Sequence, residues 1–115
     1  MKKVLVVDDS SVDLKNLERI VSDAGAMVIT ASNGNEALAK AKESQPQLIM
    51  LDVNMPGLDG FSTARQLAAD AQTKGIPVVF VTSKNQKADR VFAQMLGAKG
   101  FVTKPYAAAD ILANL

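Results

Sequence analysis

Five short apolar runs punctuate the chain: Val4–Val7, Met27–Thr30, Leu48–Leu51, Val78–Val81 and Phe101–Val102. Between them apolar positions recur every three or four residues. Several of the runs lack alternation, which suits strands buried on both faces of a parallel sheet. The stretches between them read as helices. Leu14, Leu17, Ile20, Val21 and Ala24 mark the first, with Ser10-Ser11-Val12-Asp13 as a capping-box start and Gly25 as the stop. Ala37, Leu38 and Ala41 mark a second that ends before Pro46, and a third covers roughly Ser62–Gln72. Val91, Phe92, Met95 and Leu96 mark a fourth before Gly97, and a short fifth begins in Ala107–Leu115.

Strand–helix alternation of this kind predicts right-handed crossovers and an α/β doubly wound sheet with helices on both faces. In such sheets the ligand site lies beyond the carboxyl ends of the strands. Asp8, Asp9, Asp52, Thr82 and Lys104 all fall at such ends. Carboxylates gathered there repel one another unless a cation joins them. A divalent metal and Lys104 are the candidates.

Composition narrows the choice of function. At 115 residues, 48% of them hydrophobic, residues 1–115 read as one globular domain. The net charge of +1 and the dispersed lysines give no drive toward direct nucleic-acid binding. Without cysteine there is no disulfide or thiolate site, and without histidine a serine-hydrolase triad lacks its usual base. Lys2-Lys3 followed by apolar residues mimics a signal peptide, but the run stops at Val7. No segment reaches the roughly 20 apolar residues of a membrane span, so a cytoplasmic protein without membrane insertion is expected.

Four motifs at successive strand ends carry a more specific message. They are Val6-Val7-Asp8-Asp9-Ser10, Asp52-Val53-Asn54-Met55-Pro56-Gly57-Leu58-Asp59-Gly60, Thr82-Ser83 and Lys104-Pro105. In this order they resemble the receiver domain of two-component response regulators over essentially the whole chain. The resemblance implies a flavodoxin-like five-stranded sheet of order 2-1-3-4-5. It also implies a phosphorylation-dependent signalling switch, fed by a histidine kinase and read by a downstream effector protein. Such a domain catalyses its own phosphorylation and dephosphorylation without being a turnover enzyme.

The residue roles follow from the same resemblance. Asp52 is the phosphoacceptor, a carboxylate able to form an acyl phosphate. Mg2+ is bound by Asp9, Asp52 and the backbone carbonyl of Asn54, with Asp8 acting partly through water. Lys104, oriented by a cis Lys104–Pro105 peptide, aims a compact positive charge at a phosphoryl oxygen. Thr82 donates a hydroxyl hydrogen bond to the same group, and the small Ser83 leaves the pocket accessible. Phe101 occupies the aromatic switch position, where its lack of a hydroxyl removes any hydrogen-bonded inward state. Asn54 and Lys84 sit where the family tunes dephosphorylation, and a bulky Lys84 is expected to shield the acyl phosphate or contact its oxygens. The signalling surface comprises the fourth helix, fifth strand and fifth helix.

Taken singly, each residue has a commoner structural role: a loop aspartate, a solvated lysine, a β-branched strand threonine, a core aromatic. Their joint order is what favours the switch. An aspartyl-phosphate phosphatase resembling haloacid dehalogenases would place Asp-x-Asp after the first strand, whereas Asp8 and Asp9 are adjacent. Intact Asp9, Asp52, Thr82 and Lys104 argue against a degenerate receiver used only for docking. Thr82-Ser83-Lys84-Asn85-Gln86-Lys87 and Gly97-Ala98-Lys99-Gly100-Phe101 look similar to chemotaxis-like regulators of type IV pilus twitching motility. A stand-alone regulator acting through protein contacts is expected, although the short final helix also suits a piece of a longer protein.

Overall fold

The structure, a computed structural model, describes residues 2–115. The elements alternate without exception: β1 (Lys3–Val7), α1 (Ser11–Asp23), β2 (Met27–Ala31), α2 (Gly34–Ser44), β3 (Leu48–Leu51), α3 (Gly60–Ala69), β4 (Val78–Thr82), α4 (Lys87–Met95), β5 (Gly100–Thr103) and α5 (Ala108–Leu112). The strands form one sheet in the order β2-β1-β3-β4-β5, with every neighbouring pair parallel. The α/β architecture and the 2-1-3-4-5 order expected from the resemblance are therefore present.

Strand pleating sends alternate side chains to opposite faces, and each face is covered. Leu5, Val7, Ile49, Leu51 and Phe80 pack with Ala37 and Ala41 of α2, Phe61, Ala64 and Leu67 of α3, and Ala93 of α4. Val4, Val6, Leu48, Met50, Val79 and Val81 pack on the other side with Leu17, Ile20 and Val21 of α1 and Ile111 of α5. Two-sided burial is why the central strands read as unbroken apolar runs. The edge strand β2 is different, and Met27 at its start is exposed.

Local chemistry moves several boundaries from the sequence reading. α3 begins at Gly60 and ends at Ala69, earlier than the expected Ser62–Gln72. Asp59 caps it, its carboxylate accepting from the Ser62 N–H at 2.8 Å. A Cβ at Gly60 would lie 2.1 Å from the Asp52 carbonyl oxygen, so only glycine lets α3 start against the end of β3. After Ala69 the Thr73 hydroxyl donates to the Leu67 carbonyl and folds the chain into a turn. Gly25, at φ +94°, provides the expected stop of α1.

The apolar stripe read along α4 is only partly a core stripe. Phe92 and Leu96 pack against the core, whereas Val91 and Met95 are exposed. Ala93 and Asp89 are the buried residues of that helix. The Ser10…Asp13 capping box is also only half made. The Asp13 N–H donates to Ser10 Oγ at 3.3 Å, but the Ser10 N–H goes to Asp8 instead of Asp13. Among the described residues no helix is long and apolar enough to cross a membrane.

Candidate functional site

The acidic residues are held in place by backbone bonds that continue the sheet past its strands. The Asp8 N–H donates to the Ala31 carbonyl, the Asp52 N–H to the Val7 carbonyl and the Lys104 N–H to the Thr82 carbonyl, at 3.2, 3.0 and 2.9 Å. Parallel register thus brings residues from both halves of the sequence to one carboxyl edge. Carboxylate oxygens of Asp8, Asp9 and Asp52 lie within 4.8 Å of one another. Asp8 and Asp52 are buried, and Asp9 is exposed at the mouth. An all-oxygen anionic donor set suits a hard cation such as Mg2+, which accepts one or two carboxylates and keeps several waters.

Lys104 closes the pocket from the other side. Its Nζ donates to Asp8 Oδ2 at 2.7 Å, to Asp13 Oδ2 at 3.1 Å and to Asp52 Oδ2 at 3.3 Å. The Lys104–Pro105 peptide is cis, as expected. Burial alone would pull the Lys104 ammonium down, but its bonds to Asp8 and Asp13 and the charge of Asp52 hold it well above the ordinary lysine range. The opposing effect is seen at Asp8. Burial pushes the Asp8 carboxyl up and the Asp52 charge adds to this, outweighing what Lys104 and the Ser10 N–H give back.

The other expected residues sit around this centre. The Asn54 N–H donates to Asp52 Oδ1 at 3.3 Å. Thr82, the fully buried last residue of β4, accepts from the Lys84 N–H at 3.1 Å, which leaves its own hydroxyl hydrogen to donate. Lys84, two residues after Thr82, pairs its ammonium with Asp89 at 3.1 Å. The Lys84 ammonium beside Asp89 holds that carboxyl below the usual range. Phe101 stands apart from the acids on β5, half-buried, with its ring centroid 6.4 Å from that of Phe80.

Three arrangements were not legible in the sequence. Asp13 joins the site from α1 as a third carboxylate on Lys104. Arg90 lies 5.0 Å over the Phe101 ring, tied through its guanidinium to Asn85 and Thr103. Tyr106 accepts from the Asn16 amide at 3.2 Å, and burial raises its phenol above the ordinary range. Each joins residues on different elements, so none has a local signature.

Residues 4–115 match the family model described as the response regulator receiver domain. Among curated proteins the chain is 40% identical over 105 residues to Protein PilH of Pseudomonas aeruginosa, covering 91% of this chain and 87% of that protein. It is also 40% identical over 114 residues to the alkaline phosphatase synthesis transcriptional regulatory protein PhoP of Bacillus subtilis, of which it spans 47%. Its fold superimposes on chemotaxis protein CheY4 of Vibrio cholerae with a TM-score of 0.92 at 34% identity, covering 98% of this chain and 94% of that one. Strand order, clustered aspartates and these likenesses agree: the chain belongs to the receiver domains of two-component response regulators.

Proposed function

We propose that this receiver accepts a phosphoryl group on Asp52 from a histidine kinase and passes the signal on by contact with an effector protein. The observation that carries the reading is the buried Asp52 carboxylate, 3.3 Å from the Lys104 ammonium and grouped with Asp8 and Asp9. An Asp52 carboxylate oxygen attacks phosphorus, forming the acyl phosphate as the bond from phosphorus to the donor nitrogen breaks. The imidazole, protonated on its other nitrogen, leaves as a neutral group with the bonding pair, and the attacking Asp52 oxygen becomes the uncharged bridge of the acyl phosphate. Asp9, Asp52 and the Asn54 carbonyl would hold Mg2+, with Asp8 acting through water. When bound, this ion offsets the carboxylate repulsion and the negative charge on the phosphoryl oxygens.

The acyl phosphate carries about −1.5 to −2 charge units where the carboxylate carried one, so phosphorylation adds negative charge and strong acceptor oxygens at Asp52. Lys104 turns a donor toward one of them, and the Thr82 hydroxyl donates to another. Their loops lead into α4 and α5, so the motion biases Phe101 toward the interior and reshapes the face bearing exposed Val91, Met95 and Leu112. That face is the docking surface for the effector. A role in chemotaxis or pilus motility, in the cytoplasm, is the setting that the CheY4 and PilH likenesses support. The domain acts on its own acyl phosphate and turns over no outside substrate.

The test is intact-mass measurement after incubation with acetyl phosphate and Mg2+, on the wild type and Asp52→Asn. A phosphoryl adduct on the wild type alone, abolished by a chelator, is expected. A folded wild type that gains none, or an Asp52→Asn variant that gains one, would overturn the assignment.

A further inference from the structure

Every aspartate at the third position of a helix in this protein has a chance to close a capping box, and two do. Asp89 accepts from the Gln86 N–H at 3.0 Å, and Asp110 from the Ala107 N–H at 2.9 Å. Asp13 does not. The Ser10 N–H that it would take is already bound to Asp8 Oδ1 at 3.0 Å. Its carboxylate turns to Lys104 instead, a residue 91 positions away. The backbone of Asp13 is meanwhile fixed by the Ser10 hydroxyl and by α1.

An ammonium has three N–H bonds in a tetrahedral arrangement, and here all three are assigned. The shortest goes to Asp8, the next to Asp13 and the longest to Asp52. Fixing two of the three directions fixes the last. Asp13 lies outside the group of carboxylates suited to hold a cation, and its contact with Lys104 ties the first turn of α1 to the ammonium that the pocket shares.

We propose that Asp13 is a positioning residue: with Asp8 it clamps the Lys104 ammonium so that the remaining N–H points at Asp52 and the phosphoryl group formed there. This inference rests on the assignment of Asp52 as phosphoacceptor. The clamp needs an acceptor atom at position 13, not a charge. Asparagine there preserves it, and alanine removes it.

Two measurements test the clamp. In metal-free protein labelled with 15N-lysine, the wild type shows a Lys104 ammonium signal protected from exchange with water. Asp13→Ala loses that signal, and Asp13→Asn keeps it. In the acetyl phosphate assay with Mg2+, Asp13→Ala slows initial adduct formation by about fivefold to tenfold, the scale expected of a misdirected group, while Asp13→Asn stays within about twofold. In a Lys104→Ala background the Asp13→Ala change has no further effect. The proposal is overturned if Asp13→Ala leaves the ammonium signal intact, if asparagine is as slow as alanine, or if the loss persists without Lys104. A wild type that takes up no phosphoryl group would sink the acceptor assignment instead. The ammonium signal would then still decide whether Asp13 fixes Lys104.

Discussion

Replacing Lys104 by methionine keeps most of the side-chain stem and removes the charge that Asp8, Asp13 and Asp52 share. Asp8 and Asp52 are then left buried with oxygens within 4.8 Å of one another. At that separation and an effective dielectric near 20, two unit charges repel by about 3 kcal/mol. Breaking a buried pair costs about 3–5 kcal/mol by experience elsewhere. The Lys104 side chain is 16% exposed, and water reaching it brings the figure to the low end. Proton uptake by Asp8 caps it further, so about 2–3 kcal/mol is expected at pH 7.5 without metal. For a domain of this size that is roughly a 10 °C fall in melting temperature.

The pH dependence supplies the sharper check. A carboxyl raised above its unfolded value binds its proton more tightly in the folded state, so stability falls as pH rises through the window between the two values. Asp8 is already of this kind, and loss of Lys104 widens its window upward. Acidification from pH 7.5 to 5 should therefore help Lys104→Met more than the wild type and shrink the gap to about 1 kcal/mol. The lowered carboxyls Glu36, Asp70 and Asp89 lose their contribution only as pH falls through their depressed values, and they do so equally in both proteins. Lys104 itself, raised, does not titrate in this range. Urea unfolding followed by far-ultraviolet circular dichroism, with chelator at both pH values, measures the difference. A gap that stays constant or widens at pH 5 would mean that lost packing, not unpaired charge, accounts for the damage.

Two further outcomes follow from the geometry around Asp52. Gly60→Ala forces a Cβ into the Asp52 carbonyl and should cost about 2–3 kcal/mol in unfolding experiments. Gly75→Ala, with open space around it, should stay within about 0.5 kcal/mol and serves as the control. Thr82→Ala leaves the Lys84 N–H without its acceptor and should lose about 1 kcal/mol, with Thr82→Ser restoring it. The alanine variant should still gain the phosphoryl adduct by mass, while the amides of residues 83–86 lose the change in hydrogen exchange that phosphorylation gives the wild type.

The parts of the fold that could be read from the sequence were those set by two-sided burial. β1, β3 and β4 announce themselves because neither face meets water, and Asp8 and Asp52 stand out as charges ending those runs. The start of α3 is not legible in the sequence because it depends on Gly60 packing against the end of β3, a tertiary contact with no local signature. The stripe on α4 was over-read, since periodicity does not distinguish a residue facing the core, such as Phe92, from one facing outward, such as Met95. Asp13 was hidden for a related reason. As a capping-box residue it already had a sufficient local explanation, and only the competing bond from Ser10 to Asp8 exposes the other one.

The charge balance of the pocket connects stability to signalling. Asp8, Asp13 and Asp52 share the Lys104 ammonium and Asp9 lies beside Asp8 and Asp52, so the metal-free pocket carries an excess of negative charge that the fold must tolerate. Occupancy by a cation would relieve it, and a ligand at 100 times its Kd stabilises by about 2.7 kcal/mol. On the proposed mechanism a phosphoryl group on Asp52 would instead add to the excess, with Lys104 and the Thr82 hydroxyl as the donors that answer it. They are not independent, because the Lys104 N–H is bonded to the Thr82 carbonyl at 2.9 Å. A pull on either reaches the ends of β4 and β5 together, and those ends lead into the loops before α4 and α5. Asp8 and Asp52 also sit at strand ends but follow β1 and β3, whose side chains are buried in the cores on both faces. On that mechanism the displacement would have an easier outlet on the β4–β5 side, where Arg90 stacks over Phe101 of the edge strand and Val91 and Met95 are already exposed.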